Sequence, residues 1–217
     1  MRKLRPDRDD RMGGKYVRAG AAVGAAAGAV ALVVQTKRAA TLLQAPRRDE
    51  LEIDDPSDLF AHELGDVLYV ERSLAKTLPQ LADEATHRPL QTALRKHLKE
   101  TEQHVKNVEA AFEAIGRRPK AETSRGFDGI KAEHDEFISD RRPSSAMLDM
   151  YLTGAAARTE HYEIAAYTGL LTMADALGEK KAATLLRKNL RQEQAALKRV
   201  TDIATKLAAR PESARHS

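Results

Sequence analysis

Four long segments of this chain repeat apolar residues with the period of an α-helix, and each carries glutamate on or beside its apolar stripe. These glutamates are Glu71, Glu100, Glu160 with Glu163, and Glu193. Residues three and four positions apart lie on one helix face, so these carboxylates are expected to face a core. A buried carboxylate is costly unless it is paired or bound to a metal. The recurrence therefore favours a helical fold with chemistry at its centre.

Capping and helix-breaking residues bound the four segments. The predicted helices are A (Ser57 to about Glu84), B (Pro89 to Gly116), C (Ser144 or Ser145 to Gly178) and D (about Lys180 to Ala209). Ser57 is the expected N-cap of helix A, and Pro79 is expected to kink or locally break that helix. Residues 117–143 form a long connection with a short amphipathic helix at Phe127–Ile138. No segment alternates as a strand would, so the predicted fold is all-α, a four-helix bundle with a long crossover between B and C.

Charge and composition divide the chain into an arm at 1–56, the bundle at 57–209 and a tail at 210–217, which is expected to be disordered. Residues 1–48 carry 11 Lys and Arg against 3 Asp and Glu, whereas the remainder carries 25 against 29. The arm is therefore basic and the bundle mildly acidic, so the bundle is not expected to bind nucleic acid. The chain has no cysteine, which excludes disulfides and thiolate metal sites.

An uncharged run rich in Ala and Gly, residues 19–34, is the most unusual part of the arm, and an acidic linker at 46–56 follows it. Its glycines are spaced by four residues, which lets membrane helices approach closely. As a helix the run spans about 24 Å, less than a bilayer core of about 30 Å. It is compatible with a membrane anchor extended through residues 19–43, with a secretory signal peptide, or with a soluble arm. The protein is expected to be cytoplasmic, with membrane association through the arm as an alternative.

The glutamates resemble the arrangement of dinuclear metal sites in ferritin-like bundles. In that class one helix of each pair gives an inward Glu, and the other gives a Glu followed by a His at the third position. Here His104 follows Glu100 by four residues, and no His follows Glu193. The pattern predicts a dinuclear iron or manganese site, with His97 as a further ligand or a neighbour of the ligands. The predicted ligands are Glu71, Glu100, His104, Glu160, Glu163 and Glu193.

The same residues have explanations that involve no metal. A single glutamate at the edge of an apolar stripe often reaches water with its carboxylate. Buried glutamates also form ion pairs with basic residues, for which Arg158, Lys188 and Arg191 are candidates. Both explanations stay open at the level of sequence.

The motifs around these residues resemble the YciE/YciF family of ferritin-like stress proteins. They are LFAHELGDVLYVERSLAKTLPQLA, HLKETEQHVKNVEAAFEAIG, EHYEIAAYTGLL followed by ADALG, and LRQEQ. The resemblance covers residues 57–208 and implies a ferritin-like bundle, usually dimeric, related to rubrerythrins and bacterioferritins. It also implies that the six predicted ligands are inherited site positions. It does not supply a reaction, because the biochemical activity of the family is not settled.

These observations predict a stress-response protein with a dinuclear iron or manganese carboxylate site that handles peroxide or O₂. One alternative is a non-enzymatic dimeric stress protein with a degenerate site, because Leu197 occupies a position where a ligand is expected. Another is a membrane-tethered adaptor in which the arm is the functional part. A homodimer formed through the bundle is expected, because the apolar face of helix A is broader than one seam needs. Its residues include Leu64, Val67, Leu68, Leu74, Ala75 and Leu78.

Overall fold

The computed structural model describes residues 53–209, which form five helices and contain no strand. The helices are α1 (Pro56–Glu84), α2 (Arg88–Ala114), α3 (Arg125–Asp140), α4 (Ser145–Leu177) and α5 (Lys180–Ala208). Helices α1, α2, α4 and α5 correspond to the predicted helices A to D, and α3 is the short helix of the crossover. The prediction of an all-α fold is confirmed.

Local chemistry explains where the helices begin and end. Gly116 follows α2 and Gly178 follows α4, both with positive φ (72° and 75°), a conformation that costs glycine least. The N-cap of α1 is Asp55 rather than the predicted Ser57. Its side chain accepts a hydrogen bond from Ser57 N at 2.7 Å, and Pro56 takes the first helical position, where its missing N–H costs nothing.

Of the two effects predicted for Pro79, the break is wrong, because α1 continues through this residue to Glu84, and the kink stays a prediction. Leu78 and Ala82, on either side of Pro79, are both buried in the core. Their packing holds the helix where its backbone hydrogen bond is lost, since tertiary contacts supply most helical stability in proteins.

The four long helices pack as a bundle in which α1 contacts α2 and α4, and α5 contacts α4 and α2. Two contacts fix the relative direction of α1 and α4. Tyr167 in α4 bonds to Glu71 in α1, whereas Asp149 near the start of α4 accepts a bond from Thr86, which follows α1. These helices therefore run antiparallel. The same reasoning makes α2 and α5 antiparallel, as in a ferritin-like bundle with a long crossover.

The core consists of two apolar clusters separated by a buried polar layer. Along α2, Leu90 and Leu94 belong to one cluster, and Val108 and Phe112 belong to the other. The stretch 97–107 between them contributes buried polar side chains to the layer. Each of the four long helices crosses this layer near its middle. The sequence thus interrupts every apolar stripe at the same level of the bundle.

Two further predictions concern dimerisation and association with a membrane. Most of the apolar residues of α1 that suggested a dimer are buried inside the bundle of the single chain, so this argument for dimerisation no longer applies and the dimer stays a prediction. Among residues 53–209, no helix has the length and apolar character needed to cross a membrane. The run at 19–34, the linker to residue 52 and the tail from residue 210 lie outside the described residues.

Candidate metal centre

Three side chains from three helices meet in one half of the polar layer. They are Glu71 of α1, His104 of α2 and Glu193 of α5, and each is fully buried. His104 Nδ1 lies 2.7 Å from Glu193 Oε1 and 3.3 Å from Glu71 Oε1. Two carboxylates and one imidazole therefore converge on one point, a donor set suited to iron or manganese.

A second group of donors fills the other half of the layer and shares Glu193 with the first. It adds His97 of α2 and both Glu160 and Glu163 of α4, and one ligand atom from each of the four residues lies within 4.8 Å of the others. His97 Nε2 is 3.3 Å from Glu160 Oε1 and 3.7 Å from Glu193 Oε2. Since the two oxygens of Glu193 face different groups, this carboxylate is positioned to bridge two ions.

Unsatisfied polar atoms test whether the layer fits metal ions. Within residues 53–209, buried side-chain nitrogen and oxygen atoms that lack a hydrogen-bond partner occur only in the two donor groups and in Thr101. They include both oxygens of Glu163 and Oε2 of Glu71. Native proteins leave few buried polar atoms unsatisfied, so such a concentration at one point requires an explanation. Metal coordination supplies the partners that these atoms lack, and the residues therefore fit a dinuclear centre.

Crowding four carboxylates into the buried layer shifts the pKa values of its side chains. Burial raises the pKa of Glu160 to about 11, and the neighbouring Glu193 adds to this effect. Burial together with the charges of Glu193 and Glu71 raises the pKa of Glu163 well above its usual range. Burial lowers the pKa of His104, but Glu193 and Glu71 outweigh it and raise that pKa to about 10. Protons thus neutralise the layer when no cation is bound, because separated buried charges are too costly.

A chain of hydrogen bonds orients the ligands of the first group. The hydroxyl of Tyr167 donates to Glu71 Oε1, and Asn189 Nδ2 donates to the Tyr167 oxygen at 2.9 Å. Asn107 Nδ2 in turn donates to Asn189 Oδ1 at 2.6 Å. Each side chain is buried, so the chain fixes the rotamer of Glu71 by polar contacts made inside the core.

Gln192 fixes the orientation of the His104 ring. Its Oε1 lies 3.0 Å from His104 Nε2. An amide oxygen can only accept, so Nε2 carries the proton. In the neutral ring this leaves Nδ1, which faces Glu71 and Glu193, as the free lone pair. In metal sites, a hydrogen-bond partner on the nitrogen that does not bind the metal fixes the orientation of a ligand histidine.

The structure brings five of the six predicted ligands together and leaves Glu100 outside both groups. Arg199 donates a hydrogen bond to Glu100 Oε2, and Lys96 Nζ lies 3.4 Å from its Oε1. Burial raises the pKa of Glu100, but nearby His97, Arg199 and Lys96 outweigh it and lower that pKa to about 2. Glu100 therefore forms ion pairs with Arg199 and Lys96, which differ from the partners Arg158, Lys188 and Arg191 that the sequence suggested for buried glutamates.

His97 takes a place that the sequence pattern gave to a glutamate. It lies seven residues before His104, so the two rings are two turns apart on one face of α2. Spacing alone marked His97 as a candidate, whereas Asn107, Asn189 and Gln192 were missed. Polar residues inside the apolar stripes could have indicated such side chains. Asn189 follows Leu186 by three positions and precedes Glu193 by four, so it lies on the same stripe of α5.

Comparisons with known proteins agree with this architecture. Residues 55–211 match a family described as "Domain of unknown function (DUF892)". The chain belongs to this family. It is 33% identical over 148 residues to the protein YciF of Escherichia coli (strain K12), an alignment that covers 68% of this chain and 89% of YciF. The predicted resemblance to the YciE/YciF family is confirmed.

Several solved structures share the fold. The crystal structure of the E. coli stress protein YciF matches with a TM-score of 0.70 and 31% identity, covering 73% of this chain and all of YciF. The YcfI protein of Rhodopseudomonas palustris matches with a TM-score of 0.66 and 31% identity, over 77% of this chain and 99% of that one. A two-domain protein from Anabaena variabilis that contains a ferritin-like domain matches with a TM-score of 0.50 at 12% identity, covering 76% of this chain and 41% of that one. The ferritin-like fold predicted from the sequence is thus confirmed.

Proposed function

We propose that this protein is a stress-response protein that binds two iron or manganese ions in its polar layer and consumes peroxide or O₂. The observation that carries the proposal is the set of inward donors with unsatisfied atoms. Four carboxylates and two imidazoles converge there, contributed by all four helices. Four ionised carboxylates balance two divalent cations, so a loaded centre is neutral and the cost of burying separate charges disappears.

The two donor groups divide the ligands between the ions. Glu71 and His104 would hold one ion, His97, Glu160 and Glu163 would hold the other, and Glu193 would be shared. A bound Fe²⁺ or Mn²⁺ pair would supply the electrons that reduce peroxide or O₂ through its own oxidation. The chain's own contribution is to fix the ligands: the Tyr167 hydroxyl holds Glu71, and Gln192 keeps the His104 lone pair directed inward.

An apolar cavity supports a small uncharged substrate. It has a volume of about 50 Å³, and its lining includes His97 and Glu160 from the second donor group. Most of the remaining lining is apolar, with Leu78, Leu94 and Phe127 among its residues. An apolar space beside the ligands admits small neutral molecules more readily than ions, because ions lose hydration there.

Metal content of the full-length protein tests the proposal. Protein from cells supplied with iron and manganese is expected to contain a metal pair and to consume hydrogen peroxide. His97→Gln removes a donor of the second group, so metal content should fall while the helical spectrum is unchanged. The matched control is Glu102→Gln, which alters an exposed glutamate of the same helix outside both groups and should keep the metal. Wild-type protein that is folded yet binds neither iron nor manganese would overturn the proposal.

A second candidate is a non-enzymatic stress protein with no metal. The observation that favours it is the short approach of His104 to Glu193, together with the Tyr167–Glu71 hydrogen bond, which stabilise part of the layer without a cation. In that case metal should leave the melting temperature unchanged, and the protein should not consume peroxide.

A further inference from the structure

A second cavity, of about 220 Å³, lies between α1 and α4. Its lining includes three carboxylates, those of Glu63 and Asp66 on α1 and of Glu163 on α4. Glu63 and Asp66 are partly exposed, whereas Glu163 is only 2% exposed. The three carboxylates therefore extend from the protein surface to the second donor group.

Glu163 is the side chain of this cavity that is best placed to bind a cation. Both of its oxygens are buried and have no hydrogen-bond partner. The same residue belongs to the group formed with His97, Glu160 and Glu193. A carboxylate that lines an acidic cavity and also belongs to a donor cluster connects the outside of the bundle with its centre.

The two cavities that reach the polar layer differ in chemistry. The cavity at His97 and Glu160 is lined mainly by apolar side chains, whereas three of the eight residues that line the cavity at Glu163 are carboxylates. A hydrated cation moving through apolar surroundings pays a large desolvation cost. Carboxylates lower that cost and concentrate cations at a cleft by focusing its negative field.

We propose that the acidic cavity is the route by which divalent cations reach the polar layer. Glu63 and Asp66 attract the hydrated ion, and Glu163 is the first ligand to bind it before transfer to the donor group. This inference rests on the proposed function, because it requires that the layer binds metal.

One wall of the route is held in place by the crossover. Tyr162 lines the cavity, and its hydroxyl lies 2.6 Å from Ser124 Oγ, the residue that precedes α3. Gly126 lies against the same ring, since a Cβ added there would be 3.1 Å from it. These contacts fix the position of the Tyr162 ring, and with it the wall of the cavity that the ring forms.

The rate of Co²⁺ uptake by metal-free full-length protein tests the inference, because bound Co²⁺ is visible by its absorption in stopped flow. In the double variant Glu63→Gln/Asp66→Asn, uptake at low ionic strength should slow by about tenfold, within the range known for electrostatic steering. The final amount of bound Co²⁺ should be unchanged, since neither residue belongs to the donor groups. Raising the salt to about 0.5 M should reduce the difference, because the charges are then screened.

A charge-matched control separates local from general effects. Glu102→Gln/Glu113→Gln removes two exposed carboxylates of α2 that do not line the cavity, and it should load as fast as wild type. Ala165→Lys provides a second test if the first variant fails to fold. Ala165 is exposed and lines the cavity, so a lysine there should slow uptake, whereas Ala165→Met, of similar length and no charge, should not.

The outcomes are distinguishable. Wild-type protein that takes up no Co²⁺, Mn²⁺ or Fe²⁺ overturns the proposed function and this inference with it. Uptake by wild type at a rate that neither cavity variant changes overturns only the inference. Slower uptake in the cavity variants, with full final loading and a normal rate in the α2 control, supports the acidic route.

Discussion

Replacing Glu160 by glutamine separates the metal explanation of the polar layer from the ion-pair explanation. Burial, aided by Glu193, raises the pKa of this carboxyl from 4.5 to about 11, so the folded metal-free protein holds a proton there at pH 7. The unfolded chain releases that proton above pH 4.5. A folded-state pKa that is raised in this way contributes stability below pH 4.5 that is lost progressively as pH rises toward 11.

The magnitude follows from this linkage. Each pH unit above 4.5 removes about 1.4 kcal/mol, so the free energy of unfolding at pH 7 is lowered by at most about 3 kcal/mol. Glu160→Gln keeps the shape of the protonated acid but has no proton to release. The metal-free variant should therefore gain up to about 3 kcal/mol, equivalent to a rise of up to about 10 °C in melting temperature.

Metal should remove most of this difference in stability between variant and wild type. At a free metal concentration of 100 times its dissociation constant, wild type gains about 2.7 kcal/mol, because the ion binds only the folded state. The variant lacks a charged ligand and should lose most of that gain. Thermal melts of both proteins, with and without Mn²⁺, measure all four stabilities.

Glu100→Gln is the matched control on a neighbouring helix. Glu100 bonds to Arg199 and lies 3.7 Å from His97 Nδ1, so its replacement should lower metal-free stability by about 2 kcal/mol but keep the four carboxylate ligands and most of the metal response. If Glu160→Gln instead destabilises the metal-free protein and metal shifts neither protein, then Glu160 is the partner of an ion pair and the reasoning is refuted.

Four further predictions test other parts of the structure. Tyr167→Phe keeps the ring but leaves Glu71 without its donor, so urea unfolding should show a loss of about 1–3 kcal/mol. Gly65→Ala should cost about 1–3 kcal/mol, because its Cβ would lie 2.7 Å from a backbone oxygen of the crossover. Gly169→Ala has no neighbour within 4 Å and should add about 0.5–1 kcal/mol, so an equal loss in both glycine variants would contradict the packing argument. Although burial lowers the pKa of His104, adjacent carboxylates raise it from 6.5 to about 10. Metal-free protein should therefore lose stability as pH rises from 6.5 to 10 in urea titrations, and a rise would refute the assignment.

The sequence by itself determined the four long helices and the polar layer that crosses them. Apolar residues at helical spacing predicted four long helices, and Gly116 and Gly178 marked two of their ends. The glutamates interrupting those stripes indicated a common polar layer. These properties are local, since they depend on spacing along one helix and on the backbone preferences of single residues.

Only the tertiary structure decided which side chains share the centre. Successive residues on a helix differ by about 100° in direction, so a small rotation of α2 about its axis exchanges one inward residue for another. The packing of α2 against α5 turns His97, Thr101 and His104 inward and leaves Glu100 beside Arg199. The apolar stripe of α2 includes His97, Thr101 and His104 and leaves Glu100 at its edge, but α2 alone does not show that Arg199 stands opposite Glu100. That contact follows from which residues of α5 stand opposite, and the antiparallel packing of the two helices brings those residues together.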